Sequence, residues 1–179
     1  PVNISTETQI TKTGLSLSSA QAAVAGGFMY IGDNARLYKV NAFNVSQEID
    51  RSGSLSTLYI TGPTVWGDFV YVTNGGTYYQ INTSNLSQTL ATFSVGSQSW
   101  ANPIIYDGLI YFASTSTDKL YKNNASNISH SIASYSMTNC DSNIAIDNNF
   151  MYIACGNVVS QLNMSNLSQT YASYNVGHV

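Results

Sequence analysis

Four short segments of this chain are apolar or aromatic at every position: Phe28-Met29-Tyr30-Ile31, Phe69-Val70-Tyr71-Val72, Leu109-Ile110-Tyr111-Phe112 and Phe150-Met151-Tyr152-Ile153. A strand without polar alternation is covered on both faces. The third place of each is Tyr, at spacings of 41, 40 and 41 residues. Directly before them stand Gly26-Gly27, Gly67-Asp68, Asp107-Gly108 and Asn148-Asn149. These residue types tolerate the positive φ that a two-residue type I′ hairpin requires at both positions. Before the turns lie short first strands, as in Pro103-Ile104-Ile105-Tyr106 and Asn143-Ile144-Ala145-Ile146.

A third strand follows at residues 37–40, 78–81, 120–123 and 159–162, with a polar third position (Lys39, Gln80, Lys122, Gln161) that predicts shallower burial. A corner rich in Asn and Ser recurs at 41–47, 82–88, 124–130 and 163–169, and a more polar fourth strand follows, for example 89–95. Four strands in each period of roughly 41 residues predict an all-β fold, a β-propeller of four-stranded antiparallel blades that pack face to face. Four such repeats occupy residues 15–179.

Residues 1–14 add a spare element. Asn3-Ile4-Ser5 lies 41 residues before Asn44-Val45-Ser46, so Thr8–Thr13 reads as the outer strand of a preceding blade. The last repeat already owns an outer strand near Gln169–Val176. Three arrangements follow: the repeats belong to a larger propeller, the extra strand pairs with another subunit, or it packs on its own domain. Open strand edges make the second a route to polymers.

Composition narrows the surroundings. Only 8% of residues are charged, the net charge is −3, and the six Lys and Arg are scattered, which excludes a nucleic-acid surface. With 44% hydrophobic residues the chain is not disordered, and no apolar run is long enough to span a membrane. It opens with Pro1 and no charged-then-apolar leader, as expected of a mature or excised segment. A charge-poor surface rich in hydroxyls and amides suits an extracellular or cell-surface location.

The stretch Phe69-Val70-Tyr71-Val72-Thr73-Asn74-Gly75-Gly76 resembles the YVTN family of propeller repeats, common in archaeal surface-layer and other cell-surface proteins. Asp107-Gly108-Leu109-Ile110-Tyr111, with Lys119-Leu120-Tyr121, is also similar to quinoprotein-like repeats. Residues 30–33, 111–114 and 152–155 depart from the YVTN signature. No quinone-binding or metal-binding set is present to carry over, so the resemblance implies a fold and no cofactor.

Two features carry candidate chemistry. Asn-x-Ser occurs at Asn3, Asn44, Asn82, Asn85, Asn124, Asn127, Asn163 and Asn166, all at two phases of the corner. It reads equally as a turn signal copied by the repeat and as N-glycosylation of an exposed rim. Cys140 and Cys155 flank the Asn148-Asn149 turn; in hairpin register Cys140 faces position 157, so a bulge is needed to pair them. A disulfide and two separate buried thiols are both open readings.

Other candidates have simpler roles. His130 and His178 lack ligand spacing. Asp68, Asp107 and Asp147 sit in or beside hairpin turns, and no nucleophile, phosphate-loop or zinc motif occurs, so no enzyme is expected. Trp66 and Trp100 fit gaps between blades better than sugar stacking. The expected function is that of an extracellular structural protein: a subunit of a filament, appendage or surface layer. It would assemble with copies of itself by strand pairing and surface packing, with N-linked glycans on the exterior. The alternative is an adhesin or glycan-binding propeller using loops 74–77 and 115–119.

Overall fold

In the computed structural model every regular element among the described residues is a strand. Residues 21–55, 60–97, 101–114, 116–137, 139–140 and 144–177 are described. The predicted strand at 8–13, Asn3, Trp100 and His178 lie outside them.

Among the described residues sixteen strands form four antiparallel sheets, each in plain up-and-down order. Blade 1 holds β1 (Ala22–Ala25), β2 (Phe28–Gly32), β3 (Leu37–Asn41) and β4 (Asn44–Arg51). Blade 2 holds β5 (Thr64–Trp66), β6 (Phe69–Asn74), β7 (Thr77–Asn82) and β8 (Asn85–Ser94). Blade 3 holds β9 (Ile104–Tyr106), β10 (Leu109–Ser114), β11 (Lys119–Asn124) and β12 (Asn127–Ser136). Blade 4 holds β13 (Ala145–Asp147), β14 (Phe150–Cys155), β15 (Val158–Asn163) and β16 (Asn166–Asn175).

The turns between first and second strands follow the residues in them. Gly26, Gly67, Asp107 and Asn148 all have positive φ at the first turn position. The second position does so only where it is glycine, at Gly27 (78°) and Gly108 (70°). Asp68 and Asn149, at the second position, keep negative φ. The expectation of type I′ geometry in all four blades is thus corrected in blades 2 and 4.

The fourth strand starts earlier than expected, inside the Asn-Ser corner. Asn82 pairs with Asn85, yet Ile81 pairs with Thr89, so three residues bulge out between them. The same excursion occurs in blades 1, 3 and 4. It turns the middle residue of the motif inward: Leu86, Ile128 and Leu167 are buried, while the Asn and Ser beside them stay near solvent. The strand continues through a second, one-residue bulge, which leaves Ile49, Leu90, Ile132 and Tyr171 unpaired and exposed.

Each pair of neighbouring blades encloses one apolar cluster. Tyr30 and Leu37 of blade 1 meet Val70, Val72, Ile81 and Leu86 of blade 2. Tyr71 and Tyr78 of blade 2 meet Ile110, Phe112 and Ile128 of blade 3. Tyr111, Ala113 and Leu120 of blade 3 meet Met151, Ile153, Leu162 and Leu167 of blade 4. Every blade therefore has a leading face, carrying the Tyr anchor, and a trailing face that covers the leading face before it. Among the described residues blade 4 and blade 1 share no extended packed face.

Candidate functional site

The corner motif is built the same way in each blade. The Oδ1 of Asn44, Asn85, Asn124, Asn127, Asn163 and Asn166 accepts both the backbone N–H and the hydroxyl of the Ser two residues on, with O–O distances of 2.6–2.7 Å. Asn82 accepts from the N–H of Ser84 and donates its amide to Gln88, as Asn41 does to Gln47. The motif thus closes Asx-turns that let the buried middle residue dip inward. The two phases differ in access: Asn44, Asn85, Asn127 and Asn166 are exposed, while Asn82, Asn124 and Asn163 are half-buried. His130 stands exposed where the other corners have Gln.

Cys140 and Cys155 form a disulfide. The hairpin register does not extend to them, because β13 begins only at Ala145. Instead Asn139 adopts φ of 58° and its carbonyl accepts from the N–H of Gly156 at 2.9 Å, which sets the two cysteines side by side. Cys140 is fully buried within the cluster between blades 3 and 4.

The leading face is where polar groups are most demanding. The Tyr71 hydroxyl donates to the Ala125 carbonyl of the next blade at 2.5 Å. Gln80, expected to be shallow, is buried: its Nε2 donates to the carbonyls of Ala125 and Ser126, and its Oε1 accepts from the N–H of Ile128. The side chain reads the whole corner of blade 3, which is why a polar residue lies between sheets. Lys39, at the equivalent place, donates to the Thr83 carbonyl at 2.8 Å, with its Nζ 4.1 Å above the Phe28 ring. Burial drives the Tyr71 hydroxyl far above the ordinary tyrosine range and, with smaller contributions from Tyr135, Asp107 and Tyr106, pushes Tyr111 up to about 12.

The remaining candidates are spread out. Asp68, Asp107 and Asp147 are exposed in or beside separate turns. Trp66 does not fill a gap between blades; β5 ends at it, and it sits 38% exposed beside Phe69. In loop 74–77, Asn74 and Gly76 are buried, so little of it is offered to a ligand. Residue-by-residue reading missed the exposed bulge row, although Ile49, Leu90, Ile132 and Tyr171 recur with the period.

No protein-family model matches the chain, and no curated protein matches it. Solved structures do. It is similar to BamB from Moraxella catarrhalis, with a TM-score of 0.68 and 14% identity over 84% of this chain and 50% of that one. The computationally designed Ika4 protein gives 0.74 and 9% identity over 88% of this chain and 98% of that one. The Pan2 WD40 domain of Neurospora crassa gives 0.66 and 8% identity over 87% and 49%. The chain spans about half the length of the BamB and Pan2 chains. With four antiparallel four-stranded blades and these neighbours, the fold is a four-blade β-propeller.

Proposed function

We propose that this protein is a non-enzymatic structural subunit of an extracellular filament, appendage or surface layer, of the YVTN type of cell-surface propeller. The observation that carries the reading is the outer rim. Four outer strands present the same two features at the same stations: an exposed Asx-turned sequon and an exposed apolar bulge residue. A side that repeats its contact four times suits lateral packing against identical neighbours, where each contact can be weak and the sum strong. The bulges also keep these edges from pairing indiscriminately. The disulfide and the hydroxyl-rich surface support an oxidising, extracellular setting. Glycans at Asn44, Asn85, Asn127 and Asn166 would project from the rim without disturbing the turns, since Oδ1, not the amide nitrogen, makes the turn bonds.

Electron microscopy of native material, with intact mass on the same sample, tests the reading. Filaments or ordered layers with a mass above the 19.3 kDa polypeptide are expected. Separate particles at the bare polypeptide mass would overturn it and favour a soluble recognition propeller.

A further inference from the structure

The two ends of the blade array are unfinished halves of one joint. On the leading faces of blades 1, 2 and 3, Leu37, Tyr78 and Leu120 are 0% exposed; Val159, at the same position in blade 4, is 37% exposed. Tyr152 is only half-buried where Tyr30, Tyr71 and Tyr111 are buried. Gln161, the counterpart of Gln80, has no next corner to hold and donates to the Tyr152 hydroxyl of its own blade. Beside them Tyr174 is 71% exposed, while its counterparts Phe93 and Tyr135 are half-buried. An apolar groove runs between Tyr152, Val159, Ala172 and Tyr174.

The trailing face of blade 1 shows the complementary deficit. Met29, Ile31 and Val45 are half-buried, where their counterparts in blades 2 to 4 are buried. Val24 is 67% exposed, whereas Val65, Ile105 and Ile146 pack into the clusters between blades. The repeat itself says what covers such faces: three times within the chain, a leading face is sealed by a trailing face of this pattern. In the joint between blades 2 and 3, Tyr78 stacks on Phe112 at 4.2 Å, and Phe93 lies 5.3 Å from Tyr121. Val159 and Tyr174 occupy the places of Tyr78 and Phe93; Ile31 and Tyr38 occupy those of Phe112 and Tyr121.

We infer that two copies of this chain associate head to tail, the leading face of blade 4 in each sealed by the trailing face of blade 1 in the other, giving a closed ring of eight blades. The comparisons argue for two copies. These blades superpose on about half of the single BamB and Pan2 chains and on nearly all of the Ika4 chain, so the same run of strands occurs both as half of a longer chain and as almost the whole of a shorter one. Two identical heterologous joints related by a two-fold axis close the ring without leaving a free end. The inference concerns the ends of the array and stands apart from the role proposed for its outer rim.

Light scattering after size-exclusion chromatography tests it on the 179-residue chain, with Tyr174→Glu and Val24→Glu as probes of the two faces. Both positions are exposed within one copy, so each variant should fold, and its thermal unfolding checks that. The wild type is expected at twice 19.3 kDa, and each variant should dimerise at least about 100-fold more weakly, because a carboxylate would be buried in an apolar joint. Mixing the two variants should restore dimers, since one joint then pairs two unaltered faces; only a head-to-tail joint predicts this. A wild-type monomer at every concentration would overturn the inference, as would a dimer indifferent to both variants or open chains longer than two copies. Filaments built from a wild type that stays monomeric before assembly would overturn it while leaving the rim reading intact. Dimers that never form filaments would do the reverse.

Discussion

Single side chains decide how closely successive blades can approach. Gly32 stands where other blades have Thr73, Ala113 and Ala154, and a Cβ added there would come within 2.6 Å of the Ile60 side chain. Gly32→Val should therefore cost about 1–3 kcal/mol, read as a lowered midpoint in urea, because the packed neighbour has nowhere to go. Tyr71 tests the opposite case, a polar group added to an apolar joint. Its hydroxyl shares the Ala125 carbonyl with Gln80, so Tyr71→Phe leaves that acceptor partnered. The expected loss is about 1 kcal/mol; a loss several times larger would mean that the hydroxyl does more than bridge two blades. Whereas Tyr152, in an equally apolar strand, is only half-buried, Tyr30, Tyr71 and Tyr111 were legible as core because each occupies an all-apolar strand. Gln80 was not: its burial depends on the corner of the following blade, a contact between residues 45–48 places apart that no local pattern announces.

Strands and blades were the most readable level. The period and the turns located β2, β6, β10 and β14 closely, because those strands are covered on both faces and their composition shows it. Outer-strand starts were misplaced because Asn-x-Ser looks like a turn, and is one, yet it is enclosed within a strand as a three-residue bulge. The cysteine pairing also escaped hairpin logic, since β13 is only three residues long and the chain leaves its register before Cys140. The disulfide closes a loop with a sequence separation of 15. Reduction, or Cys140→Ser with Cys155→Ser, should lower stability by about 3 kcal/mol on the chain-entropy estimate for a loop of that length. Thermal melts with and without dithiothreitol measure it, and identical melts would show that the bond adds nothing to stability.

Across the assembled array the tyrosines act together. Tyr30, Tyr71, Tyr79 and Tyr111 all have hydroxyls raised above the ordinary value of 10.0, with burial the largest cause in each. Their folded forms hold the proton more tightly than the unfolded chain does. The stability tied to them is complete below pH 10 and falls as pH rises toward 12, where the unfolded state has lost protons that the folded state still keeps. Denaturant midpoints should fall steeply over that interval, with the share of the tyrosinate absorbance that belongs to these buried rings appearing only as the protein unfolds. A tyrosinate signal that reached the full amplitude of all 13 tyrosines while the fold stayed intact would contradict the burial of these hydroxyls.

The covalent link between Cys140 and Cys155 joins blade 4 to the chain leaving blade 3, and within one copy, among the described residues, blade 4 packs against blade 3 alone. In a single copy such a unit frays first, because it is held by one interface where inner units are held by two. Its amides would exchange with solvent long before those of blades 2 and 3, except where the cross-link ties β14 to the chain leaving blade 3. The bond thus acts as a rivet beside the face that the head-to-tail joint has to cover, so a reducing environment would loosen that face in any copy left without its partner.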